Sequence, residues 1–323
     1  MRLRMCGAIL LGIALGAGGL ASPASSQGFP SKPITIVVGF APGGFADVIA
    51  RLVGQKMSER LGRPVIIENK PGAGGNIAHR AVLAAAPDGH TIVAATTSIA
   101  INESLFKNRG YTANEFTALS ISATTPEFIG NHPNGAASLK ELLATAAQRP
   151  INFASPGAGS ASYIVTEYFF RVLAKAPATH IPYAGGAPAI NAALANQVDM
   201  VSGALAGGFV PHVVGGRLRG LAVASEKRNP AIPGVPTYGE GGFPGFTASA
   251  WTGFFVSSKT PPEVVAALHE EVVAALKMTD VASKLAALGF EPLIESQADA
   301  EARFRAEIDK WTKMVDAIGV QIN

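Results

Sequence analysis

Short apolar runs alternate with amphipathic stretches along most of this chain. The run at 34–39 predicts a buried strand, and the apolar positions over 45–61 recur at helical spacing. Alternation of strand and helix at this spacing predicts an α/β fold, with parallel-rich sheets covered by helices. The other predicted strands are 65–68, 91–95, 151–154, 179–182, 198–202, 218–224 and 253–257, and the other helices are 76–86, 139–148, 163–174, 187–196, 262–277, 281–288 and 298–318.

The first 27 residues form a separate unit. Arg2 and Arg4 precede an apolar segment, 8–20, which small residues follow. This order is typical of a secretory signal peptide, with cleavage predicted between residues 21 and 27. Cys6, the one cysteine of the chain, lies inside it. The mature protein is therefore expected in the periplasm, without disulfides or thiol chemistry.

Composition and charge narrow the function further. The chain is 48% hydrophobic and 15% charged, and its net charge of +3 falls to +1 when Arg2 and Arg4 are removed. So small an imbalance gives no support to nucleic-acid binding. Beyond the N-terminus no apolar run reaches the roughly 20 residues that a membrane span needs.

Four small-residue loops share one setting: each follows a predicted strand and precedes a predicted helix. They are 41–45, 71–75, 155–160 and 183–186. In open α/β sheets ligands bind at the carboxyl ends of strands, and a glycine turn before a helix offers free N–H groups to an anion. The pattern predicts two facing anion cradles.

Other site chemistries have weak support in the sequence. The loop at 71–75 does not complete G-x-G-x-x-G, because Ala78 stands at the last glycine position, and no P-loop motif occurs. No catalytic constellation is recognisable, so no catalytic residue, cofactor or metal is predicted. Six dispersed histidines lack metal-ligand spacing: His79, His90, His132, His180, His212 and His269.

Several single side chains allow two interpretations. Asp47, in the first turn of a helix, either stabilises that turn or accepts a hydrogen bond from the ligand. Thr97 and Ser98 either donate hydroxyls to a ligand or bond the backbone. Phe45 lies inside a glycine turn, where an apolar ligand body is its expected partner. Asp199 is expected to fix a turn, and Trp251 and Phe254 are expected in the core.

An ordered set of motifs extends over nearly the whole mature chain and resembles one family. The chain is similar to the Bug-type solute-binding receptors of tripartite tricarboxylate transport systems. Those motifs are P-G-G-x-x-D at 42–47, E-N-K-P-G-A-G-G at 68–75, P-D-G-H-T at 87–91, P-Y-x-G-x-A-P-A at 182–189, V-D at 198–199 and G-R-L-R-x-L-A-V at 216–223.

The resemblance implies a two-lobe periplasmic binding protein of the type II-like, Venus flytrap kind. Such receptors bind small organic carboxylates in a hinged cleft and deliver them to integral membrane permease subunits. By this resemblance the first lobe contributes Gly43, Gly44, Phe45, Ala46, Asp47, Ala73, Gly74, Gly75, Thr97 and Ser98, and the second contributes Ser155, Gly157, Gly159, Ser160, Ala184 and Gly185.

Two departures from the family pattern fall near the expected pocket. Tyr163 stands where a histidine is common, and Gly203-Ala204 where a polar pair is frequent. We therefore add Tyr163 and Ala204 to the predicted site. A larger or less polar ligand, such as an aromatic carboxylate, is the hypothesis that these changes favour.

The expected organisation is a discontinuous first lobe, 28–123 plus 225–323, and a second lobe, 124–224. Crossovers near Thr124 and Ser225 would form the hinge of a monomeric protein. Two other functions stay open: a carboxylate-sensing subunit for a signalling partner, and an exported enzyme on the same scaffold. A nucleophile–base pair in the cleft would mark the enzyme.

Overall fold

The computed structural model describes residues 28–323, so the predicted signal peptide and Cys6 lie outside the described residues. Helices and strands alternate through the first two thirds of this range, which confirms the α/β class. No helix within it is long and apolar enough to span a bilayer.

The strands are β1 Ile34–Val38, β2 Val65–Asn69, β3 Thr91–Thr96, β4 Phe116–Asn131, β5 Ile151–Ser155, β6 Ala178–Pro182, β7 Met200–Ala204, β8 Arg219–Val223, β9 Ser249–Ser257 and β10 Glu291–Pro292. The helices are α1 Phe45–Leu61, α2 Asn76–Ala84, α3 Ser98–Leu105, α4 Leu139–Ala146, α5 Ala161–Tyr168, α6 Gly186–Leu194, α7 Phe209–Val214, α8 Pro262–Leu276, α9 Thr279–Ala287 and α10 Gln297–Ile318.

The strand pairings fall into two halves. Strands run in the order β2-β1-β3-β9-β4-β7-β5-β6, and β8 and β10 pair with β4 outside this path. In the first half β1 pairs in parallel with β2 and β3, and in the second half β5 pairs in parallel with β6 and β7. Antiparallel pairs of β4 and β9 lie between these two parallel groups.

Strand β4 joins the two halves. Its residues from Phe116 to Pro126 pair with β9, and from Glu127 onward it pairs with β7 and β8. The sequence analysis assigned no strand here, because small polar residues and Pro126 obscure the alternation. The proline is tolerated where the strand exchanges partners, and its carbonyl accepts a bond from the Leu205 N–H.

Helix bounds follow the local chemistry. Helix α1 covers the predicted residues and ends at Gly62, whose left-handed φ of 60° suits a glycine. Helix α5 differs from its prediction, since it begins at Ala161 with Ser160 as its cap and widens into a π-turn over Phe169–Leu173. Most other predicted bounds shift by one to three residues, as frayed ends usually do.

Most of the buried apolar side chains form one continuous core, and a smaller cluster lies in the second half. Trp251 and Phe254 belong to the larger core, as predicted. The indoles of Trp251 and Trp311 both donate to Glu307 Oε2, at 2.8 and 2.7 Å. These bonds fix α10 against β9.

Candidate ligand cleft

The four glycine loops predicted from the sequence meet where the two halves of the sheet face each other. The Ala41 N–H donates to the Ala184 carbonyl at 3.0 Å, which joins the loop after β1 to the loop after β6. A Cβ on Gly74 would lie 2.7 Å from Gly159 Cα, so the other two loops also touch. The structure therefore has the two halves closed on each other.

Two adjoining cavities lie between these loops and share Phe40 and Pro156 in their walls. The first encloses about 460 Å³ including its open mouth. Eleven of the eighteen predicted site residues line one cavity or the other. Gly44, Phe45, Ala46, Thr97, Ser160 and Ala204 line the first, and Ala73, Gly74, Gly75, Gly157 and Ala184 line the second. The predicted residues that line neither are Gly43, Asp47, Ser98, Ser155, Gly159, Tyr163 and Gly185.

Two helix N-termini open into the first cavity. Helices α1 and α6 have Gly44 and Gly185 as their N-caps, and glycine has no side chain with which to cap the first N–H groups. Gly44 and Gly186 both line this cavity. Unpaired N–H groups and two positive dipole ends therefore converge here, an arrangement that suits an anion.

Asp47 supports the first of these turns from behind. Its carboxylate accepts hydrogen bonds from the Gly43 N–H at 2.8 Å, from Arg51 at 2.8 and 2.9 Å, and from Asn69 at 2.9 Å. Burial raises the pKa of Asp47, but the bonds from Arg51, Gly43 and Asn69 outweigh it and hold the pKa below its ordinary value. Of the two interpretations, the contacts favour the structural one.

Replacing Asp47 by asparagine is expected to destabilise the fold by about 1–3 kcal/mol, because the Gly43 N–H and Arg51 lose a charged acceptor. Since the folded pKa is lowered, this stabilisation is present above the ordinary value of 3.8 and is lost as pH falls through the folded pKa. Urea unfolding at pH 7 and pH 3 measures both effects. Asp280→Asn, which breaks an exposed pair with Lys56, is the matched control. Equal losses in the two variants would contradict this role for Asp47.

Other polar residues near the cleft are held by protein groups. Thr97 Oγ1 bonds the backbone N–H and carbonyl of Trp251, and Ser98 Oγ accepts from Thr96. Asp199 accepts from Arg149 and from the Asn152 N–H, as expected for a residue that fixes a turn. Apart from Glu127, the first cavity is lined by glycine backbone, apolar side chains and a few hydroxyls.

Tyr163 does not face the ligand space that the sequence analysis assigned to it. Its ring is 7% exposed and stacks on His180 with centroids 4.2 Å apart. Helix α5 begins at Ala161, and Tyr163 lies in its first turn, where its backbone N–H donates to the side chain of the cap residue Ser160. The expectation that its side chain sets ligand choice therefore has no support in the geometry.

A serine–histidine pair, which the sequence did not indicate, lies beneath the same loop. Ser155 Oγ is 2.6 Å from His180 Nε2. Burial lowers the pKa of His180 to about 4, so the imidazole is neutral at pH 7. Ser155 is fully buried and lines neither cavity. The pair satisfies a buried hydroxyl and gives no substrate access to a nucleophile.

Phe45 lines the first cavity and stacks on Phe290 with ring centroids 5.2 Å apart. Phe40 and Phe209 line the same space. These rings give the cavity an apolar wall, to which an apolar ligand body is complementary.

Glu127 is the residue of this cavity that sequence reasoning missed. It lies in β4 opposite Ala204 of β7, at the point where β4 leaves β9. Glu127 lines the first cavity, and its side chain is buried, with 3% of the residue exposed. Burial raises its pKa to about 7, and the nearby Ser162 hydroxyl opposes this shift without a well-formed hydrogen bond. A glutamate inside an apolar strand was the available signal, but no strand had been assigned.

No three potential metal-ligating side chains come together within residues 28–323. An α/β sheet in two halves, with loops from both closing over a cavity, is the architecture of a solute-binding protein. Residues 49–320 match the family model described as "Tripartite tricarboxylate transporter family receptor", and the chain belongs to that family. The resemblance read from the motifs is thereby confirmed.

Relatives of known name agree with this assignment. Protein BugT of Bordetella pertussis is 31% identical over 325 residues and is covered over 97% of both chains. The structure of the periplasmic binding protein BugD is 30% identical, with a TM-score of 0.86 over 91% of this chain and 99% of that one. MatC from Rhodopseudomonas palustris, solved with bound malate, is 33% identical, with a TM-score of 0.83 over 89% of this chain and 100% of that one.

Proposed function

We propose that this protein binds a small organic carboxylate in the first cavity and delivers it to the permease of a tripartite tricarboxylate-type transporter. The observation that supports this most is the meeting of two uncapped helix N-termini, α1 and α6, in one cavity. They supply N–H groups and positive dipole ends that suit a carboxylate. Malate, the ligand bound in the MatC structure, is a small organic carboxylate.

The two lobes proposed are 28–123 plus 225–323 and 124–224, and the protein is exported as a monomer after removal of residues 1–27. Strand β4 and the segment after β8 connect the lobes near Thr124 and Ser225. In the closed form the Ala41 N–H bonds the Ala184 carbonyl, and the backbones of Gly74 and Gly159 touch. A ligand favours the closed form through the contacts that it makes better there.

A carboxylate panel tests this function. The purified mature protein is expected to gain about 2.7 kcal/mol of unfolding free energy when a true ligand reaches 100 times its Kd. The panel should hold mono-, di-, tri- and aromatic carboxylates, since the apolar wall at Phe45 and Phe209 suits a less polar body. Thermal unfolding and the emission of Trp251, next to Ala250 of the cavity wall, are the readouts. If no carboxylate changes either signal, the receptor function proposed here is wrong.

A further inference from the structure

Glu127 adds an acidic group to the first cavity, which the positive ends of helices α1 and α6 also line. The side chain is almost fully buried, and within residues 28–323 neither carboxylate oxygen has a hydrogen-bond partner. Buried polar groups in native proteins are nearly always paired, and an unpaired buried charge is costly. An unpaired carboxylate on a residue that lines a ligand cavity indicates that the ligand supplies the partner.

The surroundings of Glu127 contain no cation to serve as that partner. Glu127 is the one ionisable side chain among the described residues that line the cavity. The nearby Ser162 hydroxyl opposes the rise of its pKa but makes no well-formed hydrogen bond to the carboxylate. Tyr238, from the loop after β8, is the other titratable group that senses Glu127, and burial together with the Glu127 charge raises its pKa. The tyrosine is therefore neutral at all pH values of interest.

Groups of opposite charge thus line the first cavity. The N-termini of α1 and α6 present positive partial charges, and Glu127 presents a carboxylate. We propose that the ligand is a zwitterion, whose carboxylate lies at the helix N-termini and whose cationic nitrogen pairs with Glu127. This proposal rests on the function proposed above and names the class of ligand.

A dicarboxylate fits the same cavity less well. Its second carboxylate would face Glu127, and either repulsion or uptake of a proton would accompany binding. An ammonium group instead donates charge-assisted hydrogen bonds to both unpaired oxygens. The cavity therefore discriminates by the sign of charge at one end of the ligand.

Matched ligand pairs that differ by one amino group test the proposal. The pairs are aspartate with succinate, glutamate with glutarate, 4-aminobutyrate with butyrate, and phenylalanine with 3-phenylpropionate. In calorimetric titrations of the wild-type protein at pH 8, the amino member of at least one pair is expected to bind about 10- to 100-fold more tightly. Equal or tighter binding of every amino-free member overturns the proposal and leaves the receptor function standing. If neither member of any pair binds, and the wider carboxylate panel is also silent, the receptor function itself fails.

The variant Glu127→Gln separates charge from shape. It is expected to lose that 10- to 100-fold preference while binding the amino-free member at least as well as the wild type. Glu226→Gln, at an exposed position, is the matched control and should keep the preference. A Glu127→Gln variant that keeps the preference overturns the proposal.

The pH dependence of the wild type decides the question if that variant does not fold. Affinity for the amino member should fall up to tenfold per pH unit below about 7, because Glu127 must release its proton to bind a cation. Affinity for a dicarboxylate that rises over the same range, with no amino acid bound, would show instead that a protonated Glu127 donates to an anion and would overturn the proposal.

Discussion

The Glu127→Gln variant is expected to be more stable than the wild type by roughly 3 kcal/mol in the unliganded state at pH 8. The carboxyl titrates near its ordinary value of 4.5 in the unfolded chain and near 7 in the folded one. Between these values the folded protein holds a proton that the unfolded chain has released. Stability therefore falls as pH rises, by about 1.4 kcal/mol per unit. Glutamine does not titrate and avoids this loss.

Urea unfolding at pH 4, 5.5, 7 and 8 measures the effect. The two proteins should be nearly equal at pH 4, and the gap should widen up to pH 7 and then level off. Glu226→Gln should track the wild type within about 0.5 kcal/mol, as exposed substitutions usually do. A gap that is constant with pH would show that packing, and not ionisation of Glu127, separates the proteins. The wild type would thus tolerate a buried charge for binding, a common trade between stability and activity.

The Gly159→Ala variant is expected to bind ligand about 5- to 150-fold more weakly than the wild type, since overpacking of a tight contact costs about 1–3 kcal/mol. The added methyl would lie 2.7 Å from Gly74 Cα and 2.7 Å from Asn102 Oδ1. Both atoms belong to the opposite half of the molecule. The backbone of Gly159 is not in the left-handed region, so the substitution causes no local strain. The clash would therefore arise only in the closed form proposed above.

Calorimetric titration with whichever carboxylate binds the wild type measures this loss. Gly234→Ala is the control, because a methyl there meets no atom within 4 Å. The unfolding free energy of the unliganded Gly159→Ala protein should stay within about 0.5 kcal/mol of the wild type if its free form is open. Wild-type affinity in this variant would show that binding does not require the contact between Gly74 and Gly159.

The sequence predicted the glycine loops and most of the elements because both depend on local chemistry. Glycine turns and apolar periodicity are properties of neighbouring residues, so the bounds of α1 and the four loops could be read directly. The meeting of Gly74 with Gly159 depends on how the halves close, and no local pattern contains it. The four loops in two sequential blocks predict two facing cradles, and the family resemblance adds the hinged cleft between them.

Strand β4 and Tyr163 differ from the sequence prediction for two physical reasons, a hidden strand pattern and the direction of one side chain. Strand β4 was not assigned, because Pro126 and its small polar neighbours hide the alternation, and Glu127 was lost with it. The prediction that Tyr163 belongs to the pocket rests on its position where the family commonly has a histidine. A start of α5 at Ala161 turns the ring toward His180. One residue of helix register decides whether such a side chain faces ligand or core.

Strand β4 has a consequence for the order in which contacts form. It passes unbroken through both halves, and Glu127 is the first residue after its change of partners. A group near the axis of a rotation moves least, whereas the starts of α1 and α6 belong to different proposed lobes and separate when these swing apart. A ligand nitrogen held at Glu127 would keep its partner throughout the swing. Binding would then begin at Glu127, near the hinge. The contacts of the ligand carboxylate with the N-termini of α1 and α6 would form last.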